Sequence, residues 1–204
     1  MAHLAHIALI GDSILDNAPY VAPGKDVTSH LRSLMGTDDG VTLLARDGST
    51  LADIRAQAEQ LPQTTSHIIF SCGGNDALGH LELLAQPAGS VGESLVRLNS
   101  IRRDFLARYQ EVLLALVKTE LPVVALTIYH PQFDQPDLQE AAEAALCLFN
   151  DGITRTTGAM GVQLIDLRTL LDDPGDMANP IEPSDQGGLK IARAIRQLVL
   201  GLEV

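Results

Sequence analysis

Tryptophan is absent from this chain, and three tyrosines and four phenylalanines supply its aromatic residues. So few rings argue against a carbohydrate-stacking platform, which needs large flat side chains. Cations are scarce as well: 14 Lys and Arg stand against 26 Asp and Glu, for a formal net charge of −12. Nucleic-acid binding draws much of its affinity from cationic groups that displace counterions, so no nucleic-acid partner is expected, and an anionic membrane surface is disfavoured for the same reason. The two cysteines, Cys72 and Cys147, are too few for a disulfide framework and lack metal-ligand spacing. They read as free thiols in a reducing compartment. No apolar run reaches the ~20 residues of a membrane span. No basic segment precedes the first apolar run, which ends at Gly11-Asp12-Ser13, so a cytoplasmic location is expected. Neither a Gly-x-x-x-x-Gly-Lys loop nor a Gly-x-Gly-x-x-Gly turn occurs, and no cofactor is implied. The acidic residues Asp172, Asp173 and Asp176 lack regular ligand spacing, so they read as a solvated loop and no metal is assigned.

At 204 residues and 46% hydrophobic content, the chain is long enough to bury a substantial core as one domain over 1–204. Five short apolar runs recur: His6 to Ile10, Val41 to Ala45, His67 to Ser71, Pro122 to Tyr129 and Val162 to Leu167. None alternates apolar with polar, which predicts strands buried on both faces. Segments of helical spacing lie between them: Val27 to Met35, Leu51 to Gln60, Val91 to Thr119, Leu138 to Gly158 and Gly188 to Leu200. Gln86 to Ser90, Gln132 to Asp137 and Asp172 to Asp185 read as loops. Alternating strand and helix predict a parallel sheet with helices on both faces, an α/β/α sandwich whose ligand crevice opens at the carboxyl ends of the strands.

The residues able to do chemistry fall at that edge. Ser13 follows the first strand, where a tight turn can raise a hydroxyl at the mouth of the crevice and the next helix can supply N–H groups. A serine there also caps such a helix. Gly48, after the second strand, can bring its backbone N–H close to a ligand, and it is equally suited to a plain turn. Asn75, in Gly73-Gly74-Asn75-Asp76 after the third, can donate its amide to an oxygen that turns negative during acyl transfer.

Gly11-Asp12-Ser13, Gly48, Gly73-Gly74-Asn75-Asp76 and Pro183-Ser184 with Gly187-Gly188 together resemble the SGNH (GDSL-type) serine hydrolases over essentially the whole chain. The resemblance implies a five-stranded flavodoxin-like sheet and hydrolysis of esters or thioesters, a small-molecule acyl ester being the partner. It makes Ser13 the nucleophile, and its N–H, the Gly48 N–H and the Asn75 amide the oxyanion donors. Where the family reads Asp-x-x-His-Pro-Ser, this chain reads Asn179-Pro180-Ile181-Glu182-Pro183-Ser184.

Three readings of that departure compete. Glu182 replaces histidine as general base, provided that burial lifts its pKa toward the working pH, with Asn179 orienting it by an amide hydrogen bond. Alternatively His130, in the loop after the fourth strand, reaches the crevice; His3, His6, His30, His67 and His80 are placed less well. In the third reading the site binds a ligand without acyl transfer. Retention of Ser13, Gly48 and Asn75 together favours the enzyme with Glu182.

Overall fold

The five apolar runs form one sheet of parallel strands: β1 (His6–Gly11), β2 (Gly40–Leu43), β3 (His67–Ser71), β4 (Val123–Leu126) and β5 (Gln163–Ile165), in the order β2-β1-β3-β4-β5. The computed structural model of the protein describes residues 5–201. Successive strand side chains point to opposite faces, and here both faces are covered. Ile7, Leu9, Ile69 and Val124 pack with Leu31 of α1 (Val27–Leu34) and with Ile191 and Ile195 of α7 (Asp185–Val199). Ile10, Ile68 and Phe70 pack on the other side with Phe105 and Tyr109 of α4 (Val91–Val117) and with Phe149 and Ile153 of α5 (Pro136–Met160). Burying a large apolar side chain contributes roughly 1.5–3 kcal/mol against about 0–1 for an exposed ion pair, so these two cores hold the layers together.

The helices start where short polar side chains satisfy free N–H groups. Asp26 accepts from Ser29 N at 2.9 Å, Ser90 from Glu93 N at 3.1 Å and Ser184 from Gly187 N at 3.2 Å.

The fourth run is a strand only over Val123–Leu126, not to Tyr129. Beyond it side chains replace the ladder: Asn150 accepts from Ile128 N at 2.9 Å and donates to Ile128 O at 2.7 Å. The fifth strand likewise stops early, because Asp166 caps a short helix α6 (Leu167–Leu170). The helix expected over Leu51 to Gln60 is reduced to α2 (Ile54–Ala58), and a short α3 (Gly74–Leu78) follows β3. The expected loop Asp172 to Asp185 holds a 3-10 turn (Pro174–Asp176) and a hairpin, β6 (Met177–Asn179) with β7 (Glu182–Pro183). Asp176 is fully buried and ion-paired with Lys190 at 2.7 Å, so the acidic cluster is not simply solvated.

After β1 the chain adds β2 on one side and β3 on the other. That reversal opens a crevice at the carboxyl ends of β1 and β3, where loops cannot cover the edge.

Candidate active site

Gly11 ends β1 against Ser71, the last residue of β3. Its φ is +143°, and a Cβ there would stand 1.7 Å from the Ser71 carbonyl oxygen, so only glycine lets the strands close at this point. The chain then turns: Leu15 N and Asp16 N both donate to Asp12 O, at 3.1 and 3.2 Å. No helix follows directly. The expected helix N-terminus behind Ser13 is replaced by this single turn, which leaves the Ser13 N–H without a hydrogen bond among the described residues. Ser13 itself is 7% exposed.

Glu182 comes to Ser13 from the far end of the chain, on the β6–β7 hairpin. It is 4% exposed, and its Oε2 has no hydrogen-bond partner among the described residues. Burial lifts its carboxyl to about 7, the neighbouring Ser13 hydroxyl pulls it back, and the negative charge of Asp47 adds to the rise. Asp12 opens the same turn. Its Oδ1 accepts from Ile14 N at 3.3 Å and from Ser71 Oγ at 3.2 Å, yet burial still raises it to about 7, with Glu182 contributing.

The hairpin is held from several sides. Asn17, fully buried, donates to Pro183 O at 3.0 Å and accepts from Val27 N at 2.9 Å. Tyr129 OH donates to Ile181 O, and Gln132 N to Pro180 O at 2.8 Å. The Asn179 amide oxygen accepts from Ile181 N at 2.9 Å. Asn179 therefore shapes the turn that carries Glu182 and makes no amide bond to the carboxyl, unlike the sequence expectation.

In the first turn of α3, Asn75 donates to Ser49 O at 2.9 Å. An amide nitrogen has two N–H groups, so the second stays available. Gly48, at φ +77°, lies exposed at the top of the turn after β2, and its N–H makes no hydrogen bond among the described residues. It stands outside the lining of the cleft.

Ser13, Asn75 and Glu182 share one cleft of about 940 Å³ counting its open mouth. Its remaining wall is largely apolar, with Leu81, Leu98, Ile101 and Leu146 among the contributors, and no Lys or Arg lines it. Cys72 also borders it; burial pushes its thiol well up, with Asp12 and Asp76 adding to this, so it stays protonated. His130 does not line the cleft, and its Nδ1 is buried without a partner. His80 lines it but is exposed. His6, His30 and His67 bond elsewhere, to Thr42 and Thr64, to Asp185 and to Ser66, and His3 lies outside the described residues. Among the described residues no group of three or more His, Cys, Asp or Glu could hold a metal ion, and no helix is long and apolar enough to cross a membrane.

Asn17 and Tyr129 escaped the sequence reading, because they touch the hairpin across 166 and 52 residues and neither sits in a recurring pattern; Asp12 lay within the Gly11-Asp12-Ser13 signal.

The model of the GDSL-like lipase/acylhydrolase family matches residues 9–188. No curated protein matches the chain. Among solved structures, an extracellular lipase from Streptomyces rimosus superposes with a TM-score of 0.71 at 18% identity, covering 94% of this chain and 99% of its own. A catalytic mutant of the acetylxylan esterase Axe2 from Geobacillus stearothermophilus gives 0.67 at 17% identity, covering 100% and 98%. The M. smegmatis aryl esterase gives 0.67 at 16%, covering 98% and 100%. At such identities the likeness is one of fold.

Proposed function

The chain belongs to the GDSL-like lipase/acylhydrolase family, and we propose that it hydrolyses esters through an acyl-enzyme on Ser13, with Glu182 in place of the usual histidine as base. The observation that carries this reading is the buried Glu182 carboxyl beside Ser13, with a free Oε2 and a pKa near 7. A base is most effective when its pKa lies near the working pH, and an ordinary exposed glutamate would fall well short.

In this mechanism Glu182 takes the Ser13 proton as Oγ attacks the ester carbonyl carbon. The oxygen that becomes negative receives the Ser13 N–H and the free N–H of the Asn75 amide. Collapse of the tetrahedral intermediate breaks the bond to the leaving alkoxide, which receives the proton from Glu182. Water then attacks the acyl-enzyme, gives its proton to Glu182, and the second collapse returns that proton to Ser13 and frees the acid. Asn179 acts on this cycle through the hairpin turn. A thioester follows the same path with a thiolate leaving.

The cleft favours an apolar, uncharged acyl group of small to medium length. A negatively charged chain would meet Asp12 and Glu182 with no cation in the wall to offset them. A serine hydroxyl, an amide donor and a carboxyl brought into one cleft supply the nucleophile, oxyanion donor and base that acyl transfer needs, which favours hydrolysis over the binding reading.

Hydrolysis of p-nitrophenyl acetate and butyrate by the wild type, Ser13→Ala and Glu182→Gln tests the proposal. The expected result is activity in the wild type, none above background in Ser13→Ala, and a loss of about 100-fold or more in Glu182→Gln. Full activity in Glu182→Gln would overturn Glu182 as the base.

A further inference from the structure

At the carboxyl edge of the sheet the regular pairing of β2 with β1 ends at Leu43 opposite Leu9, and the chain beyond stays attached only through Leu44 N and Ala45 N to Leu9 O and Arg46 N to Gly11 O at 3.1 Å. The Gly11 N–H, two residues further along β1, therefore faces a place where no backbone carbonyl continues the ladder. The side chain of Gln57, on α2 and 3% exposed, fills that place. Its Oε1 accepts from Gly11 N at 2.7 Å and its Nε2 donates to Gly11 O at 2.9 Å, as a neighbouring strand residue would. The same Nε2 reaches Ser49 Oγ at 3.1 Å. Ser49 O in turn receives the Asn75 amide at 2.9 Å. Buried hydrogen bonds thus link the end of β1, just before the nucleophile turn, through Gln57 to Ser49, whose carbonyl holds Asn75 by a half-buried bond. Asp76 anchors the loop beyond, accepting from Leu51 N at 3.0 Å.

We propose that Gln57 is a positioning residue that sets the spacing between the Ser13 turn and the Ser49 loop, which holds the Asn75 amide as the other oxyanion donor. Asn150 uses the same device on Ile128 at the end of β4, but there it joins no donor of the site. Gln57 is placed differently: of its bonded partners, Gly11 leads into the Ser13 turn and Ser49 holds the Asn75 amide. The effect on rate follows from geometry, since donors aimed at a developing charge lose their value when displaced by about 1 Å, a shift that can cost roughly 100-fold. The substrate ground state, held mainly by the apolar wall, depends on that spacing far less.

This inference rests on the ester hydrolase reading, and its test separates the two. Gln57→Leu and Ser49→Ala are compared with the wild type for kcat and KM on p-nitrophenyl butyrate, for inhibition by butylboronic acid, which mimics the tetrahedral intermediate on serine, and for thermal unfolding. The expected result for Gln57→Leu is a fall in kcat of roughly 100-fold with KM within about threefold, and boronate affinity falling in step with kcat. A lower unfolding temperature with kcat intact, or a loss expressed mainly in KM, overturns the proposal. If Gln57→Leu fails to fold, Ser49→Ala decides, because it removes only the loop end of the chain: an approximately tenfold fall in kcat is expected, and wild-type kcat overturns the proposal. A folded wild type that turns over no ester overturns the parent reading and this one with it.

Discussion

Glu182 and Asp12 are two carboxyls lifted to about 7 within one buried turn and hairpin. A carboxyl whose folded pKa exceeds its unfolded value stabilises the fold most at low pH, and that contribution fades as pH rises from about 4 to about 7. Above that range the protein carries the cost of ionising buried groups. Asp12→Asn removes one such charge while keeping the shape. Its unfolding temperature is therefore expected to gain on that of the wild type as pH rises through the window, the gain being largest at about pH 8; a constant difference across pH would contradict the assignment. Since the two groups interact, the midpoints seen in any titration belong to the pair. The letters of this site were legible in the sequence: Ser13, Asn75 and Glu182 were all read from their blocks. Their environment was not, because desolvation of Glu182 arises from packing of segments far apart in the chain, and no local pattern encodes it.

The element that matters most is the β6–β7 hairpin, and its strands of three and two residues are too short to carry a periodic signal. What places it is a set of hydrogen bonds from Asn17, Tyr129 and Gln132. Asn17→Ala leaves Pro183 O and Val27 N buried without partners, at about 1–3 kcal/mol each. The expected outcome is a loss of roughly 2–4 kcal/mol in denaturant unfolding, with a larger fractional fall in kcat than in the cleft's affinity for substrate. Unchanged stability would mean that Asn17 does not hold the hairpin. The strands of the main sheet, by contrast, were legible because they are buried on both faces and read as unbroken apolar runs. Their ends were misjudged where side chains such as Asn150 and Asp166 take over from the ladder, since an apolar residue like Ile128 looks the same in a strand or just beyond it.

On the scale of the whole molecule, alternating strands and helices dictated the α/β/α layers, and the order β2-β1-β3-β4-β5 set the crevice at the reversal beside β1. The cleft combines an acidic head with a largely apolar wall free of Lys and Arg, on a chain of net charge −12. Uncharged esters suit both features. Across p-nitrophenyl acetate, butyrate and hexanoate, kcat/KM is expected to rise by up to about fourfold for each methylene that enters the wall, from roughly 0.8 kcal/mol of burial apiece. A flat series would mean that the acyl group lies elsewhere, and an omega-carboxylated analogue is expected to react far more slowly than its neutral counterpart.

The central claim is a serine activated by a glutamate. Its most direct test is covalent labelling of the protein with a fluorophosphonate, followed by intact mass from about pH 5 to about pH 9, for the wild type, Ser13→Ala and Glu182→Gln. One adduct is expected on the wild type, at a rate that climbs through about pH 7 as Glu182 loses its proton. No adduct is expected on Ser13→Ala, and labelling is expected to slow by about 100-fold or more in Glu182→Gln. Equal labelling of wild type and Glu182→Gln, or a folded wild type that takes no label, would contradict the claim.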